Sequence, residues 1–314
     1  MAIPRHNAQD MDRISVALAE FEQKYYPLPG ITAPLDRWVF IKQLIDSARR
    51  VKFVREMASR PISPRRMDPN DDIFDPIRAA LLHKDAQNFD EACWLIFLFT
   101  HFGKHPNSKW RYVREVYGKL GTQPYWSWAE VSAEPGQFLA WLRTNEAHIG
   151  RGSGRGFGGH RRYTSLSADK PNGTGAAIES YVGWVTNRGG HRGLIDEAHA
   201  ACDDDREKAF DYLYRSMDEV KSFGRLARFD YLTMLAKTGL VTIVPPHTYL
   251  DSATGPIKGA RLILQGSMAD ALSTHELEHR LKLLGGTLDV DMQVVEDALC
   301  NWQKDPSNYV LFRG

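Results

Sequence analysis

Three stretches of this sequence crowd together residue types able to do chemistry. Residues 150–162, GRGSGRGFGGHRR, hold six glycines, four arginines and one histidine, and no acid. Glycines let a backbone come close to an anion and adopt turns with positive φ, and the guanidinium forks of Arg151, Arg155, Arg161 and Arg162 suit phosphate oxygens. Phe157 and Tyr163 could stack on a base, with His160 between them. The competing reading is a surface loop whose charges are merely solvated. The second stretch runs from Lys221 to Tyr231, KSFGRLARFDY. A helix, a short turn at Gly224 and a second helix with outward-facing amides is a geometry that holds a DNA phosphate. Arg225 and Arg228 fall in the first turn of that second helix, where the dipole alone would favour acids, so an external anion would account for them. Asp230 follows within two turns. The alternative is a glycine that simply stops a helix. The third stretch, Pro246 to Arg261, brings His247, Asp251, Lys258 and Arg261 into a glycine-bearing loop that opens a helix. Ionisable groups are costly in a core and need no glycines on a plain surface, so a site is expected there, against a turn in which Asp251 only caps a helix.

Two histidine patterns invite stronger readings than they support. His275-Glu276-Leu277-Glu278-His279 matches the HExxH zinc signature, but Ser273-Thr274-His275-Glu276 also reads as a capping box, which places His275 in the first turn of a short helix. With no third histidine following, a solvated helix face is expected and no metal is assigned. His101 closes a long apolar run; a hydrogen-bonded core histidine is weighed there against a base contact.

The elements that must position these groups read as helices: Asp10–Tyr26, Pro34–Ser59, Asp75–His83, Asp90–Phe102, Ala176–Val185, Gly193–Ala201, Arg206–Val220, Arg225–Lys237, Ile257–Leu264, Ser273–Leu284 and Val290–Trp302. Val241-Thr242-Ile243-Val244 reads as the one strand, closed by two prolines. The fold class is therefore mainly α with a minor strand at 241–244. The 314 residues are 43% hydrophobic and 25% charged with a formal charge of +1, an ordinary globular balance that excludes a disordered or polycationic chain and makes any affinity for nucleic acid local. Cys93, Cys202 and Cys300 are far apart and form no CxxC pair, which argues against a disulfide scaffold or a four-cysteine cluster. The N-terminus lacks a signal-peptide core and no apolar run is long enough to span a bilayer, so a cytoplasmic protein without a membrane role is expected.

Taken together, Trp94–Gly103 (WLIFLFTHFG), Gly158–Tyr163 (GGHRRY), Ser222–Tyr231, His247–Arg261 and the tail Val294–Cys300 resemble the α-glutamyl/putrescinyl thymine pyrophosphorylase family over roughly residues 85–303. The resemblance implies a helix–hairpin–helix DNA-glycosylase-like fold in residues 85–314, behind an N-terminal helical region at 1–84, or one continuous unit. It implies action on hypermodified pyrimidines of double-stranded bacteriophage DNA; some members look like antiphage glycosylases that excise glucosylated hydroxymethylcytosine. In such glycosylases a glycine hairpin precedes a catalytic Asp, and bifunctional members carry a lysine just after the hairpin. The corresponding position near Leu226 is apolar, which disfavours a Schiff-base lyase. Where an Asp usually follows the next strand this chain has Pro245-Pro246-His247, leaving Asp230, then Asp251, as the candidate carboxylates. The expectation is a monofunctional glycosylase, acting as a monomer without a cofactor. Arg151, Arg155, Arg161, Arg162, Gly224, Arg225 and Arg228 would hold phosphates, and His101, His160, Tyr163, His247, Lys258 and Arg261 would meet the base. A transferase that displaces pyrophosphate from activated 5-hydroxymethyluracil, or a non-catalytic binder of modified DNA, are the alternatives.

Overall fold

Helix starts are set by short polar side chains. Asp75 accepts from the amides of Ile77 and Arg78, Ser127 from Glu130, Asp205 from Glu207 and Lys208, Ser273 from Glu276, and Asp291 from Val294. The computed structural model describes residues 8–154, 156–269 and 271–311. Among them run fourteen α-helices: α1 Ala8–Lys24, α2 Pro34–Ala58, α3 Pro76–Asp85, α4 Phe89–Phe102, α5 Arg111–Tyr117, α6 Trp128–Ala133, α7 Pro135–Asn145, α8 Thr174–Thr186, α9 Gly190–Ala201, α10 Arg206–Ser216, α11 Arg225–Lys237, α12 Gly255–Gln265, α13 Thr274–Leu288 and α14 Met292–Trp302. The mainly α class holds, and α11 starts and ends where the periodicity placed it.

The strand at 241–244 does not form. Val241 and Ile243 are buried while Thr242 and Val244 are exposed, the alternation of a strand, but the segment pairs with no ladder. The amides of Leu240 and Val241 turn back to the Leu235 carbonyl instead. Strand propensity supplies one side of a ladder; the pairing requires a second strand, and none forms among the described residues.

The chain divides into two compact units, residues 1–54 with 244–314, and residues 55–243. These limits fall within α2 and after Ile243, whereas the sequence placed a boundary at residue 84. The reason is that the two ends of the chain share one core: Phe21, Phe40 and Leu44 of α1 and α2 are buried with Ile263, Leu281, Leu284 and Trp302 of α12, α13 and α14. Phe40 meets Trp302 edge-on at 5.1 Å.

The 55–243 unit is built around α4. Its residues Trp94, Leu95, Ile96, Phe97 and Leu98 are fully enclosed, and α3, α5, α6, α9 and α11 pack on it. A helix apolar on every side belongs inside a bundle. No helix among the described residues is long and apolar enough to cross a membrane.

Candidate active site

The hairpin ahead of α11 is anchored from below. Phe223 is buried and stacks on Phe97 of α4, rings 4.8 Å apart and nearly parallel. Around it the Phe223 amide donates to Val220 O, the Lys221 amide to Ser180 Oγ, and Ser222 Oγ to Asn172 O at 2.7 Å. The left-handed residue of the turn is Ser222, at φ 62°, and not Gly224. Gly224 is the extended N-cap of α11, with no side chain capping the helix and open space where a Cβ would point. The first amides of α11 thus have no side-chain cap of their own, and a helix N-terminus without one is a position favourable to an anion.

The glycine and arginine loop folds onto the end of α4. Phe157, read from sequence as a base-stacking residue, is buried instead, against Phe102 at 4.8 Å, Tyr112 at 5.0 Å and His101 at 5.7 Å. Its neighbour Gly158 donates its amide to Phe102 O, and a Cβ there would lie 2.2 Å from the Lys104 carbonyl carbon, so only glycine lets the two backbones approach this closely. The arginines of the loop part company. Arg151 and Arg162 are exposed, Arg162 lying over the Tyr163 ring, and Tyr163 is 86% exposed. Arg155 lies outside the described residues. Arg161 turns inward: its Nε donates to Thr100 O at 3.0 Å and its Nη2 to Asp230 Oδ2 at 3.3 Å.

Asp230 is thus the point where the loop, α4 and α11 converge. Its side chain is 40% open to solvent against 13% for Arg161. Desolvation nonetheless raises the Asp230 carboxyl above the ordinary aspartate value, with the charges of Arg161, Lys237, His160 and Arg225 pulling it back. A carboxyl that is part-open to solvent yet desolvated, paired with Arg161 and acted on by further basic charges, is in an environment suited to an anionic substrate. Burial lowers the Arg161 pKa in turn, and Asp230 opposes that. The roles of Arg161 as partner of the acid, and of Lys237 as a nearby cation, were not visible in sequence, since nothing local marks which arginine faces inward.

Other expected residues stand elsewhere. Arg228 is held over the Tyr214 ring and paired with Asp218 at 3.1 Å, turned to the side of α10, whereas Arg225 is buried over Phe229. His101 is enclosed, with Phe97, Phe223, Phe102 and Phe157 around its ring, so it is a core histidine and not a group open to a base. Thr174 donates its hydroxyl hydrogen to Ser165 O, so the 2.9 Å contact with His101 Nε2 requires the ring to donate there. Burial, with the Arg161 charge, lowers the His101 pKa to about 3.

His247, Asp251, Lys258 and Arg261 belong to the other unit, apart from Asp230 in the division of the chain. Asp251 and Lys258 are exposed, and His247 stacks loosely on Tyr249 with Nδ1 3.9 Å from Glu278. Glu278, the second acid of the HExxH-like run, clamps that loop by accepting from Thr248 N, Thr248 Oγ1 and Leu250 N. Glu276 pairs with Arg280 at 2.6 Å, and His275 and His279 are exposed. Both acids of the zinc-like pattern are thus engaged by protein groups. No cluster of three or more His, Cys, Asp or Glu among the described residues is placed to hold a metal ion.

A family model, Alpha-glutamyl/putrescinyl thymine pyrophosphorylase clade 3, matches residues 35–314. No curated protein matches the chain, and no solved structure does.

Proposed function

From a chain that belongs to the alpha-glutamyl/putrescinyl thymine pyrophosphorylase clade 3 family, whose name points to modified thymine, we propose a monofunctional DNA glycosylase acting on hypermodified pyrimidines. The observation that carries this reading is the Asp230 carboxylate, accessible in a desolvated site and held by Arg161 at 3.3 Å. A glycosidic bond cannot be reached inside a stacked duplex, so the nucleotide is flipped out. As the N1–C1′ bond breaks, its electron pair leaves with the base, and the ionised Asp230 stabilises the positive charge growing on the sugar. Asp230 also orients a water, whose oxygen bonds to C1′ and whose proton passes to the carboxylate. That proton then passes through solvent to the departed base anion, so the products are neutral free base and an abasic site and Asp230 is again ionised. Arg161 keeps the carboxylate ionised and fixed in direction. The open N-terminus of α11 suits a phosphate, and exposed Arg151, Arg162 and His160 suit its neighbours, with Tyr163 available for stacking.

The family name favours a second reading, in which a nucleophile displaces pyrophosphate from an activated thymine methyl group while the base stays attached. Incubation with phage DNA carrying hypermodified pyrimidines, followed by alkaline cleavage and nucleoside mass spectrometry, separates the two. Free base with alkali-labile sites supports the glycosylase, and Asp230→Asn then lowers release at least about a hundredfold while Asp251→Asn does not. A heavier base still attached to DNA, or DNA that is bound and left unchanged, overturns the glycosylase.

A further inference from the structure

Behind α11 a line of polar groups crosses the aromatic core of the 55–243 unit. Asp90 Oδ1 of α4 lies 2.7 Å from His191 Nδ1 of α9, His191 Nε2 lies 2.7 Å from Tyr181 Oη of α8, and Tyr181 Oη lies 2.8 Å from Tyr231 Oη of α11. The ionised carboxylate only accepts and burial favours a neutral His191 ring, and together these set the direction of every bond. His191 Nδ1–H donates to Asp90, Tyr181 donates to His191 Nε2, and Tyr231 donates to Tyr181. Asp90, its side chain 45% exposed, is the outer end; His191 is 2% exposed and both tyrosines are enclosed. The hydrogen bond from His191 holds the Asp90 carboxyl below its usual value, while burial lowers the His191 pKa and raises those of both phenols.

Polar groups in such a core cost free energy unless each finds its partner, and phenylalanine would fill the tyrosine volumes without that requirement. What the hydrogen bonds add is direction. The buried apolar side chains of α11, among them Phe229, Leu232 and Leu235, contribute burial, which carries no direction of its own. Asp230 and Tyr231 are consecutive, about 100° apart around the helix. A rotation of about 10° carries a group roughly 5 Å from the axis through about 0.9 Å, the scale at which misplacement costs on the order of a hundredfold in rate.

We propose that the Asp90–His191–Tyr181–Tyr231 chain is a positioning device that fixes the rotation of α11 and so the direction of the Asp230 carboxylate toward Arg161. The catalytic part of the inference rests on the glycosylase reading; the geometric part does not. The test uses full-length protein with carbon-13 in the aspartate carboxyls, the Asp230 resonance being assigned with Asp230→Asn. Its titration is compared in wild type, Tyr231→Phe, Tyr181→Phe and Ser216→Ala, the last removing the Trp184 Nε1 to Ser216 Oγ bond of the same unit. Base release by the same proteins is measured in parallel. The expected result is a displaced Asp230 titration in both tyrosine variants, with kcat lowered about tenfold to a hundredfold and KM within about twofold, and an unchanged titration and kcat in Ser216→Ala. Folded Tyr→Phe variants in which Asp230 titrates as in wild type overturn the proposal. Wild type that releases no base overturns the glycosylase reading instead, and the titration then decides the positioning alone. If Tyr181→Phe does not fold, Tyr231→Phe at the inner end decides it.

Discussion

Replacing Arg161 by glutamine removes the Nη2 charge partner of Asp230 and leaves a shorter, neutral polar side chain that ends where the arginine Nε stood. At the 3.3 Å separation of Nη2 and Oδ2, two unit charges attract by about 5 kcal/mol at an effective dielectric of 20 and by about 1.3 kcal/mol in water. The Asp230 side chain is 40% open to solvent, so screening brings the net value toward the lower figure, about 1–2 kcal/mol. That lowers the ionised fraction of Asp230, on the acid side of its titration, by roughly 5- to 30-fold. Desolvation already raises this carboxyl, so in wild type the acid limb of base release lies above the ordinary aspartate range. In Arg161→Gln the limb moves to still higher pH, because the charged form has lost a stabilising neighbour. The ratio of variant to wild-type rate is therefore smallest in acid and recovers as pH rises and both carboxyls ionise. The assay is single-turnover release of modified base across pH, with binding of the same DNA as control. A ratio that stays constant across pH, in a variant that folds and binds DNA, refutes the reasoning. The glutamine Nε2 stands at the position of the arginine Nε that donates to Thr100 O, so that bond is kept, and a urea melt checks that the catalytic effect is not a stability loss.

Gly224→Asp places an acceptor at the extended, uncapped start of α11, so stability rises by only a few tenths of a kcal/mol, the small advantage of Asp over Gly as a cap, while DNA affinity falls because a carboxylate occupies the phosphate approach; unchanged affinity would remove α11 from the interface. His101 has its folded pKa lowered from 6.5 to about 3, so the unfolded chain takes up that proton first and stability drains away as pH falls through this window, by up to about 1.4 kcal/mol per pH unit. His101→Gln, which keeps a donor for Thr174, loses that slope, and urea titrations at pH 7 and pH 5 read the difference; parallel slopes in the two proteins would refute it. Gly158→Ala forces a Cβ against the Lys104 carbonyl and costs about 1–3 kcal/mol. It also unseats the loop that carries Arg161, so limited proteolysis speeds up between residues 150 and 162; a cleavage rate equal to wild type would show that this contact does not hold the loop.

Much of this protein is written locally. The period of apolar residues marks α4 and α11, the capping residue Ser273 marks a helix start, and the apolar Leu226 after the hairpin, set against the resemblance to helix–hairpin–helix glycosylases, argues against a lysine nucleophile. Each of these depends on neighbours within a few residues, which is why sequence alone carries them. The strand at 241–244 fails on the same ground: its alternation is local, but a ladder is not. Three assignments depend on packing between segments far apart in the chain. Of the arginines expected at phosphates, Arg161 turns inward because the Thr100 carbonyl and the Asp230 carboxylate await it, 61 and 69 residues away along the chain. Phe157 and His101 have the residue types of base contacts, yet both are enclosed because each completes an aromatic cluster that also draws on Phe102. The polar line from Asp90 to Tyr231 spans four helices and leaves no signature in any one of them. Residue types and periodicity thus determined the helices, and the resemblance of a few motifs to a known family pointed to that family and to the candidate aspartate. Which charged groups surround that aspartate was decided only when the helices packed, because burial and pairing are properties of neighbours in space.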